Sequence, residues 1–502
     1  MNINFNTLAF ENLDKNKDKL AFACSDGEMN WQEFYELVNK ILNVFKSIDL
    51  SKGHPVIIYG HKEKLFPAAI AACFLYGTPY IPADIIMPED RVKKIQSISG
   101  SEVLINCTHT QLDVSSAITI NTKLEVSISR KADFSEAIYT HSTGPLAYIM
   151  FTSGSTGEPK GVMIPMQAVK SFVNWFKKDF MANENTVFMN QAPFSFDISL
   201  VELLGTLSYG ATAVLNDYDT VKNADLFIER IKKYKCSFWN STPSFAYLYL
   251  TAPLFASDNL PTFTDFLFMG EELTAKLVRR LRNAFPVVRI FNAYGPTEAT
   301  IVTTLIEITP EIADTYHASL PIGHPKPDGE ILILNESGNA EEEGEIVIVG
   351  DHVSVGYLKQ ESLSMERFYE YNSRRAYRTG DFGFKKNGLV FYNGRQDDQV
   401  KLNGYRIEIG EISKHIENID FISDAVTVPL KAGTQVKKIV SFATLKGKPV
   451  ENNTELKDNA LQILKTKMPD YMLPSDIIFV DTFPVNSNHK IDKKKLVEMC
   501  FS

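Results

Sequence analysis

Short apolar runs alternate with amphipathic stretches along the first 250 residues. Residues 56–59 form a continuous apolar run, residues 63–76 have helical character, and residues 80–82 are again strand-like. This order of strand, helix and strand predicts a parallel βαβ unit. The same order recurs as the strand 187–189, the helix 200–207 and the strand 213–215. The pattern therefore predicts an α/β fold with parallel sheets that are covered by helices on both faces.

Beyond about residue 320 the pattern changes to strands joined by tight turns. Residues 345–349 form an apolar strand, and Asn387-Gly388 is a hairpin turn signal between residues 382–384 and 389–392. The stretch 394–399 that follows is polar and has no large apolar side chain. We therefore expect an N-terminal domain over residues 1–396 and a C-terminal domain over residues 397–502.

The C-terminal domain is expected to be small and of the α+β class. Isoleucines recur along one predicted helix face at Ile409, Ile412, Ile416 and Ile419. Strands are predicted at 425–428 and 439–445, and a second helix at 456–468.

The composition limits the classes of function. The chain of 502 residues is 44% hydrophobic and 23% charged, with a net charge of −9 and no basic block, which disfavours nucleic-acid binding. Five scattered cysteines form no CxxC pair, and the longest apolar run is too short to span a bilayer. We expect a cytoplasmic monomer without membrane insertion.

A glycine-rich segment at residues 152–161 carries the first chemical signal. It follows an apolar run and precedes a predicted strand at 162–164, so it is expected to be a loop between two strands. Its spacing differs from a Walker A loop, because Lys160 is followed by Gly161. Backbone N–H groups, hydroxyls and one lysine suit a polyphosphate. The candidate ligands are Thr152, Ser153, Gly154, Ser155, Thr156, Gly157 and Lys160.

This segment resembles the phosphate loop of the adenylate-forming enzymes, which include acyl-CoA synthetases, luciferases and the adenylation domains of peptide synthetases. Further segments resemble that family's other motifs and follow in the same order along the chain. The resemblance implies a large N-terminal domain with parallel sheets and a distorted barrel, followed by a small mobile C-terminal domain. It also implies ATP and Mg²⁺ as cofactors.

Three segments, at residues 292–298, 377–381 and 394–395, resemble the family's nucleotide motifs. In the first, the resemblance places Tyr294 on adenine, Thr297 on the α-phosphate and Glu298 on Mg²⁺. In the others, it places Asp381 and Arg395 at the ribose. The remaining nucleotide-binding candidates from the first segment are Asn292, Ala293 and Gly295.

The C-terminal domain carries the family's mobile parts. Asp397 falls at the hinge, and Gly404 falls in the motif that shapes the tunnel for the pantetheine thiol. Lys490 resembles the lysine that the small domain delivers for adenylation, although His489 stands where the family usually has glycine. By resemblance the catalytic residues are Lys490, Glu298 and Lys160.

The acyl substrate is expected to be an amino acid. Asp197 lies where amino-acid-activating members place a carboxylate on the substrate ammonium group. The other pocket positions implied by the resemblance are apolar, namely Leu267, Met269, Ala293, Ile301 and Val302. Several segments are similar to the D-alanine–carrier protein ligases, which typically carry cysteine at the position of Met269. D-alanine is favoured, with glycine or another small amino acid left open.

The expected function is ATP-dependent activation of a small amino acid, followed by transfer to the phosphopantetheine thiol of a separate carrier protein. One alternative is a stand-alone peptide-synthetase adenylation enzyme for another amino acid. An acyl-CoA synthetase is a further alternative, and Asp197 speaks against it. A non-catalytic binding or regulatory protein is opposed by the presence of Lys160, Glu298, Asp381 and Lys490 together.

Overall fold

The computed structural model describes residues 16–135, 139–141, 144–154, 157–180, 182–317, 319–335, 337–395, 397–432, 435–446, 453–484 and 491–501. The chain separates into two compact units. The first comprises Met1–Ile85, Gln96–Phe151 and Gly161–Gln396. The second comprises Ile86–Ile95, Thr152–Lys160 and Asp397–Ser502. The second unit therefore includes the glycine loop and part of a helix in addition to the C-terminal residues.

The described elements up to residue 395 are predominantly strands in which apolar side chains are buried. The strands are β1 (Leu20–Cys24), β2 (Gly27–Asn30), β3 (Val56–Gly60), β4 (Tyr80–Asp84), β5 (Val103–Asn106), β6 (Ile118–Ile120), β7 (Val126–Ile128), β8 (Thr140–His141), β9 (Gly144–Thr152), β10 (Lys160–Pro165), β11 (Val187–Asn190), β12 (Thr212–Leu215), β13 (Phe238–Ser241), β14 (Asp265–Phe268), β15 (Arg289–Tyr294), β16 (Thr304–Glu307), β17 (His324–Pro325), β18 (Gly329–Leu334), β19 (Glu343–Gly350), β20 (Phe368–Tyr371), β21 (Arg374–Lys386) and β22 (Leu389–Arg395). The helices are α1 (Trp31–Ser47), α2 (Leu65–Tyr76), α3 (Glu89–Ser99), α4 (Met166–Asp179), α5 (Leu200–Tyr209), α6 (Tyr218–Lys222), α7 (Ala224–Tyr234), α8 (Pro243–Tyr249), α9 (Ala275–Ala284), α10 (Pro310–Thr315) and α11 (Glu361–Arg367).

Two large sheets confirm the predicted parallel α/β architecture. Among the described residues, one sheet has the order β17-β16-β15-β14-β13-β11-β12-β1-β2, and it is parallel from β15 to β1. The other has the order β10-β9-β4-β3-β5-β6-β7, and its strands β9, β4, β3, β5 and β6 are parallel. The glycine loop joins β9 to β10, neighbours in this second sheet, as predicted.

The predicted βαβ unit is present as β3, α2 and β4, with Val56 paired to Tyr80. Residues 65–74 of α2 are all buried, which is expected for a helix that is apolar on every side. The helix begins at Leu65, two residues later than predicted. The Glu63 carboxylate instead turns back and accepts a hydrogen bond from the backbone N–H of His61 at 2.7 Å.

A third sheet is antiparallel and corresponds to the barrel that the family resemblance implies. Its order is β18-β19-β21-β20, with β22 paired to β21. The hairpin between β21 and β22 turns at Asn387 and Gly388, whose φ values are 52° and 77°. These angles are those of the turn type predicted from the Asn-Gly pair.

The C-terminal part of the second unit has its own small core. Its elements are β23 (Gln399–Leu402), β24 (Tyr405–Glu408), α12 (Ile409–Glu417), β25 (Ile422–Ala432), β26 (Gln435–Leu445), α13 (Asn453–Lys467), β27 (Asp476–Phe479) and α14 (Lys493–Phe501). The four isoleucines of the predicted helix face are buried together in this core. The helix ends at Glu417, so Ile419 packs from the turn that follows it.

Candidate functional site

A buried tyrosine, carboxylate and guanidinium meet in the first unit. Tyr294 ends β15, and Asp381 on β21 is paired with Arg395 at the end of β22. The Tyr294 hydroxyl donates to Asp381 Oδ2 at 2.6 Å, and Arg395 Nη1 donates to Asp381 Oδ1 at 2.7 Å. Burial, reinforced by the Asp381 charge, raises the pKa of Tyr294, which therefore stays protonated as a donor. The structure thus brings together the three predicted adenosine residues.

The backbone around Asp381 is held by side chains of the same sheet. The N–H of Asp381 donates to Thr379 Oγ1 at 2.9 Å, and that hydroxyl donates to the carbonyl of Ile346 at 2.6 Å. Glu345 accepts from the N–H of Gly380 at 3.0 Å and forms an ion pair with Arg378 at 2.7 Å. Glu345 was not predicted, because it lies on a different strand from the motif that it supports.

Glu298 lies in a short 3₁₀ helix, Thr297–Ala299, and its side chain is fully buried. Its Oε1 accepts a hydrogen bond from the Tyr357 hydroxyl at 2.8 Å, a partner that the sequence did not reveal. Thr300 and Ile301, which follow, have φ values of 55° and 70°. β-Branched residues rarely adopt this conformation, and backbone strain of this kind concentrates at functional sites.

Residues of the first nucleotide motif are placed by close backbone packing. A Cβ on Gly295 would lie 2.6 Å from the carbonyl oxygen of Ile301, so only glycine fits. Asn292 is buried and donates to the carbonyl of Pro321 at 2.8 Å. Thr297 begins the 3₁₀ helix that carries Glu298.

The five apolar pocket candidates lie in one buried cluster. Each of these side chains is at most 3% exposed, and the five are Leu267, Met269, Ala293, Ile301 and Val302. Asp197 begins a 3₁₀ turn, Asp197–Ser199, that leads directly into α5. Its charge contributes to the raised pKa of the buried hydroxyls of Tyr80 and Tyr148, although burial is the larger cause. The first unit therefore contains both the Asp197 carboxylate and the five buried apolar candidates, which are part of its main hydrophobic core.

The glycine loop in the second unit binds carboxylate oxygens. The backbone N–H of Gly154 donates to Glu411 Oε2 at 3.0 Å, and Lys160 Nζ lies 3.4 Å from Glu408 Oε1. Arg91 forms an ion pair with the other oxygen of Glu411 at 2.7 Å. The predicted phosphate-binding donors thus bind anionic oxygens in this arrangement. Glu408 and Glu411 were not predicted from the sequence.

Other loop atoms are ordered by local contacts. Ser153 Oγ donates to the carbonyl of Arg406 at 3.0 Å. Gly157 has a φ of 84° and donates its N–H to the carbonyl of Gly154 at 3.1 Å. Thr152 Oγ1 is buried without a hydrogen-bond partner among the described residues. Ser155 and Thr156 lie outside the described residues.

The predicted residues of the C-terminal region have local roles in the structure. Gly404 has a φ of 84° and follows Asn403, with a φ of 52°, in a two-residue turn between β23 and β24. Asp397 Oδ1 accepts from the backbone N–H of Gln399 at 3.3 Å. Lys490 lies outside the described residues.

Within the described ranges, no group of three or more His, Cys, Asp or Glu side chains could hold a metal ion. The helices in those ranges also include none that is both long and apolar enough to cross a membrane.

Comparison with known proteins supports the same interpretation. Residues 9–358 match the family described as AMP-binding enzyme. The D-alanine–D-alanyl carrier protein ligase of Bacillus licheniformis is 37% identical over 487 residues, which is 96% of each chain.

Solved structures of adenylation proteins share the fold. The Vibrio cholerae adenylation domain AlmE, in complex with glycyl-adenosine-5'-phosphate, has a TM-score of 0.82 at 22% identity, covering 99% of this chain and 98% of that one. Holo-PA1221, a protein containing adenylation and carrier (PCP) domains, has a TM-score of 0.81 at 22% identity, covering 99% and 84%. With the family model matching more than half of its length, the chain belongs to the AMP-binding enzyme family and is an ATP-dependent, adenylate-forming ligase.

Proposed function

We propose that this enzyme activates D-alanine with ATP and transfers it to the phosphopantetheine thiol of a separate carrier protein. The observation that carries the proposal is the Asp197 carboxylate at the start of the turn before α5, in the unit whose hydrophobic core contains Met269 and the other apolar pocket candidates. An amino acid with a small apolar side chain needs one carboxylate for its ammonium group and little room beyond it. The full-length relatives named as D-alanine–D-alanyl carrier protein ligases support this choice.

The nucleotide is held at its adenosine end by the three residues that meet in the first unit. Tyr294 presents an aromatic face to adenine, and Asp381 accepts hydrogen bonds from the ribose hydroxyls. Arg395 neutralises the buried Asp381 charge and keeps that carboxylate in place. At the phosphate end, Gly154 and Lys160 exchange their carboxylate partners for the β- and γ-phosphates.

In the first half-reaction an oxygen of the substrate carboxylate attacks the α-phosphorus of ATP. The bond from that phosphorus to the bridging oxygen breaks, and pyrophosphate leaves with the electron pair. Lys490 stabilises the negative charge that grows on the transferring phosphoryl group, and Thr297 contacts the same group. The product is the mixed anhydride D-alanyl-adenylate.

The magnesium ion that ATP carries fits the chemistry of one side chain in the first unit. Glu298 is a buried carboxylate with a neutral hydroxyl donor, Tyr357, on one oxygen. Mg²⁺ is commonly held by one or two carboxylates together with substrate phosphates, so a three-ligand protein cage is unnecessary. When bound, the ion would neutralise phosphate charge, and Glu298 would hold it.

In the second half-reaction the carrier thiol attacks the alanyl carbonyl, its proton leaves, and AMP departs to yield the thioester. Gly404, which lacks a side chain, leaves room for the pantetheine arm near the turn that it forms. Cys24, Cys73, Cys107 and Cys236 are buried, and burial raises their pKa, so none of these four serves as a thiolate nucleophile. Acyl transfer therefore passes directly from the adenylate to the carrier.

The proposal is tested by pyrophosphate exchange with D-alanine, L-alanine, glycine and D-2-aminobutyrate, using the full chain. D-alanine should give the highest kcat/KM, and Asp197→Asn should raise the KM for D-alanine with little change in the KM for ATP. Exchange supported by fatty acids but by no amino acid would instead favour an acyl-CoA synthetase. Thioester formation on coenzyme A but on no holo-carrier protein would refute the carrier step.

A further inference from the structure

A buried polar network lies behind the Asp197 turn, and none of the roles described above uses it. Lys62 follows β3, Glu202 lies in the first turn of α5, and Asn240 lies on β13. All three side chains are fully buried. Lysine and glutamate side chains are almost never buried to this degree without a specific partner. The contacts of these three side chains therefore indicate what role they have.

Lys62 holds the segment that leads to the turn. Its ammonium group donates to Asn190 Oδ1 and to the carbonyl of Ala192, the latter at 2.5 Å. It also lies 4.5 Å from the centroid of the Phe194 ring. Burial lowers the pKa of Lys62 to about 8, and the charges of Asp84 and Glu202 partly oppose that shift.

Asn240 holds the turn itself. Its Nδ2 donates to the carbonyl of Ile198 at 2.8 Å, and Ile198 is the residue after Asp197. The same Nδ2 lies 3.4 Å from Glu202 Oε2, so both neighbours are acceptors. Only the NH₂ side of the amide can face two acceptors, which settles the orientation of Asn240.

Glu202 completes the network through its Oε2 atom, which lies 3.4 Å from Asn240 Nδ2. Burial raises the pKa of Glu202 to about 8, so this carboxyl group is largely protonated at neutral pH; the hydrogen bond from Asn240 and the nearby Lys62 charge act against that rise. Burial of polar and ionisable side chains has a desolvation cost that offsets much of the stability gained from their contacts. The contacts of these side chains therefore indicate a role in positioning the Asp197 turn.

We propose that Lys62, Glu202 and Asn240 are positioning residues that clamp the Asp197 turn and so fix the carboxylate that receives the substrate ammonium group. The clamp rests on the proposed function, because it acts through Asp197. Lys62 fixes residues 190–194 before the turn, and Asn240 fixes the carbonyl next to Asp197. Loosening either contact lets the carboxylate move away from the ammonium group while leaving the adenosine residues untouched.

The first test removes the Asn240 contact. Asn240→Ala and Asn240→Ser should raise the KM for D-alanine about twofold to tenfold, as expected for one lost neutral hydrogen bond. The KM for ATP should stay unchanged. The preference for D-alanine over propionate, which lacks the ammonium group, should fall by the same factor. Gln96→Ala is the matched control, since Gln96 is also a buried amide that donates to a backbone carbonyl, that of Ser101.

The second test addresses the two ionisable side chains. Lys62→Met and Glu202→Gln should each raise the KM for D-alanine, because the first removes the donor to Asn190 and Ala192 and the second replaces the carboxyl group beside Asn240. The double variant should show a smaller rise than the product of the two single effects, as expected for groups that act as one unit. Independent, multiplying effects would refute the coupling between these two residues.

The outcomes separate the clamp from the function beneath it. If Asp197→Asn raises the KM for D-alanine and the Asn240 variants lower only kcat, the clamp is wrong and the function stands. If Asp197→Asn also leaves that KM unchanged, both proposals fail. Selective loss of D-alanine affinity in the Asn240 variants, with the Gln96→Ala control normal, establishes the clamp.

Discussion

Replacing Asp381 by Asn is the sharpest test of the nucleotide site. The Asp381 side chain is 4% exposed and binds both the Tyr294 hydroxyl and Arg395. The substitution keeps the shape but removes the charge, so ribose hydroxyls lose a charged acceptor. A hydrogen bond to a charged group contributes about 1.5–3 kcal/mol, so AMP affinity should fall about tenfold to a hundredfold. Leaving Arg395 without its counter-charge should also destabilise the fold, toward the lower end of about 3–5 kcal/mol.

The assay is isothermal titration of the full chain with AMP, together with urea unfolding. Asp265→Asn is a matched control, because Asp265 is a buried carboxylate paired across strands with Arg289, and these two residues begin β14 and β15, whereas Tyr294 ends β15. The control should lose stability and keep its AMP affinity. If both variants lose similar stability but Asp381→Asn binds AMP within twofold of the wild type, the carboxylate is structural and the ribose assignment is wrong.

Three further predictions concern catalysis, specificity and acid stability. Lys490→Ala should abolish pyrophosphate exchange while ATP still binds by calorimetry, and normal exchange would remove Lys490 from the mechanism. Met269→Cys shortens a buried side chain that we propose lines the substrate pocket, so the ratio of kcat/KM for D-2-aminobutyrate over D-alanine should rise about tenfold, the effect of room for one methylene group; an unchanged ratio would place Met269 outside the pocket. Burial lowers the pKa of His54 to about 4, so the unfolded chain takes up a proton between pH 6.5 and pH 4 that the folded chain excludes, and stability should fall as the pH falls through that window. In urea titrations from pH 7 to pH 4, His54→Gln should weaken this dependence, and an identical pH profile would contradict the assignment to His54.

Sequence-based predictions were accurate for features that depend on residues close together in the sequence, and less accurate for features that depend on side-chain contacts in the folded chain. Asn387-Gly388 predicted its hairpin because the turn angles depend on those two residues alone. The strand at residues 56–59 and the apolar helix after it were recognisable because continuous burial requires continuous apolar sequence. The start of that helix was two residues off, because the Glu63 contact with His61 is a detail of side-chain geometry.

The family motifs supplied candidate residues for the chemistry, but they did not indicate which side chains hold those candidates in place. Tyr357 reaches Glu298 from 59 positions away, and Glu411 reaches Gly154 from 257 positions away. Such pairs leave no local sequence pattern, because each residue taken alone looks like an ordinary surface or core residue. The burial of Lys62 and Glu202 was even harder to predict from the sequence, because residues of these types are expected on the surface.

The amino-acid order was therefore enough to establish the adenylate-forming family and the alternation of parallel strands with helices, and it supplied the candidate residues for the nucleotide site. These features depend on periodicity, turn chemistry and short motifs, all of which act over a few neighbouring residues. Folding in three dimensions decided which side chains hold those residues in place, and it placed Thr300 and Ile301 in a left-handed conformation against their local preference. Close packing of the surrounding residues supplies the free energy that holds this backbone conformation. Which residues pack together depends on the fold and not on their neighbours in the sequence.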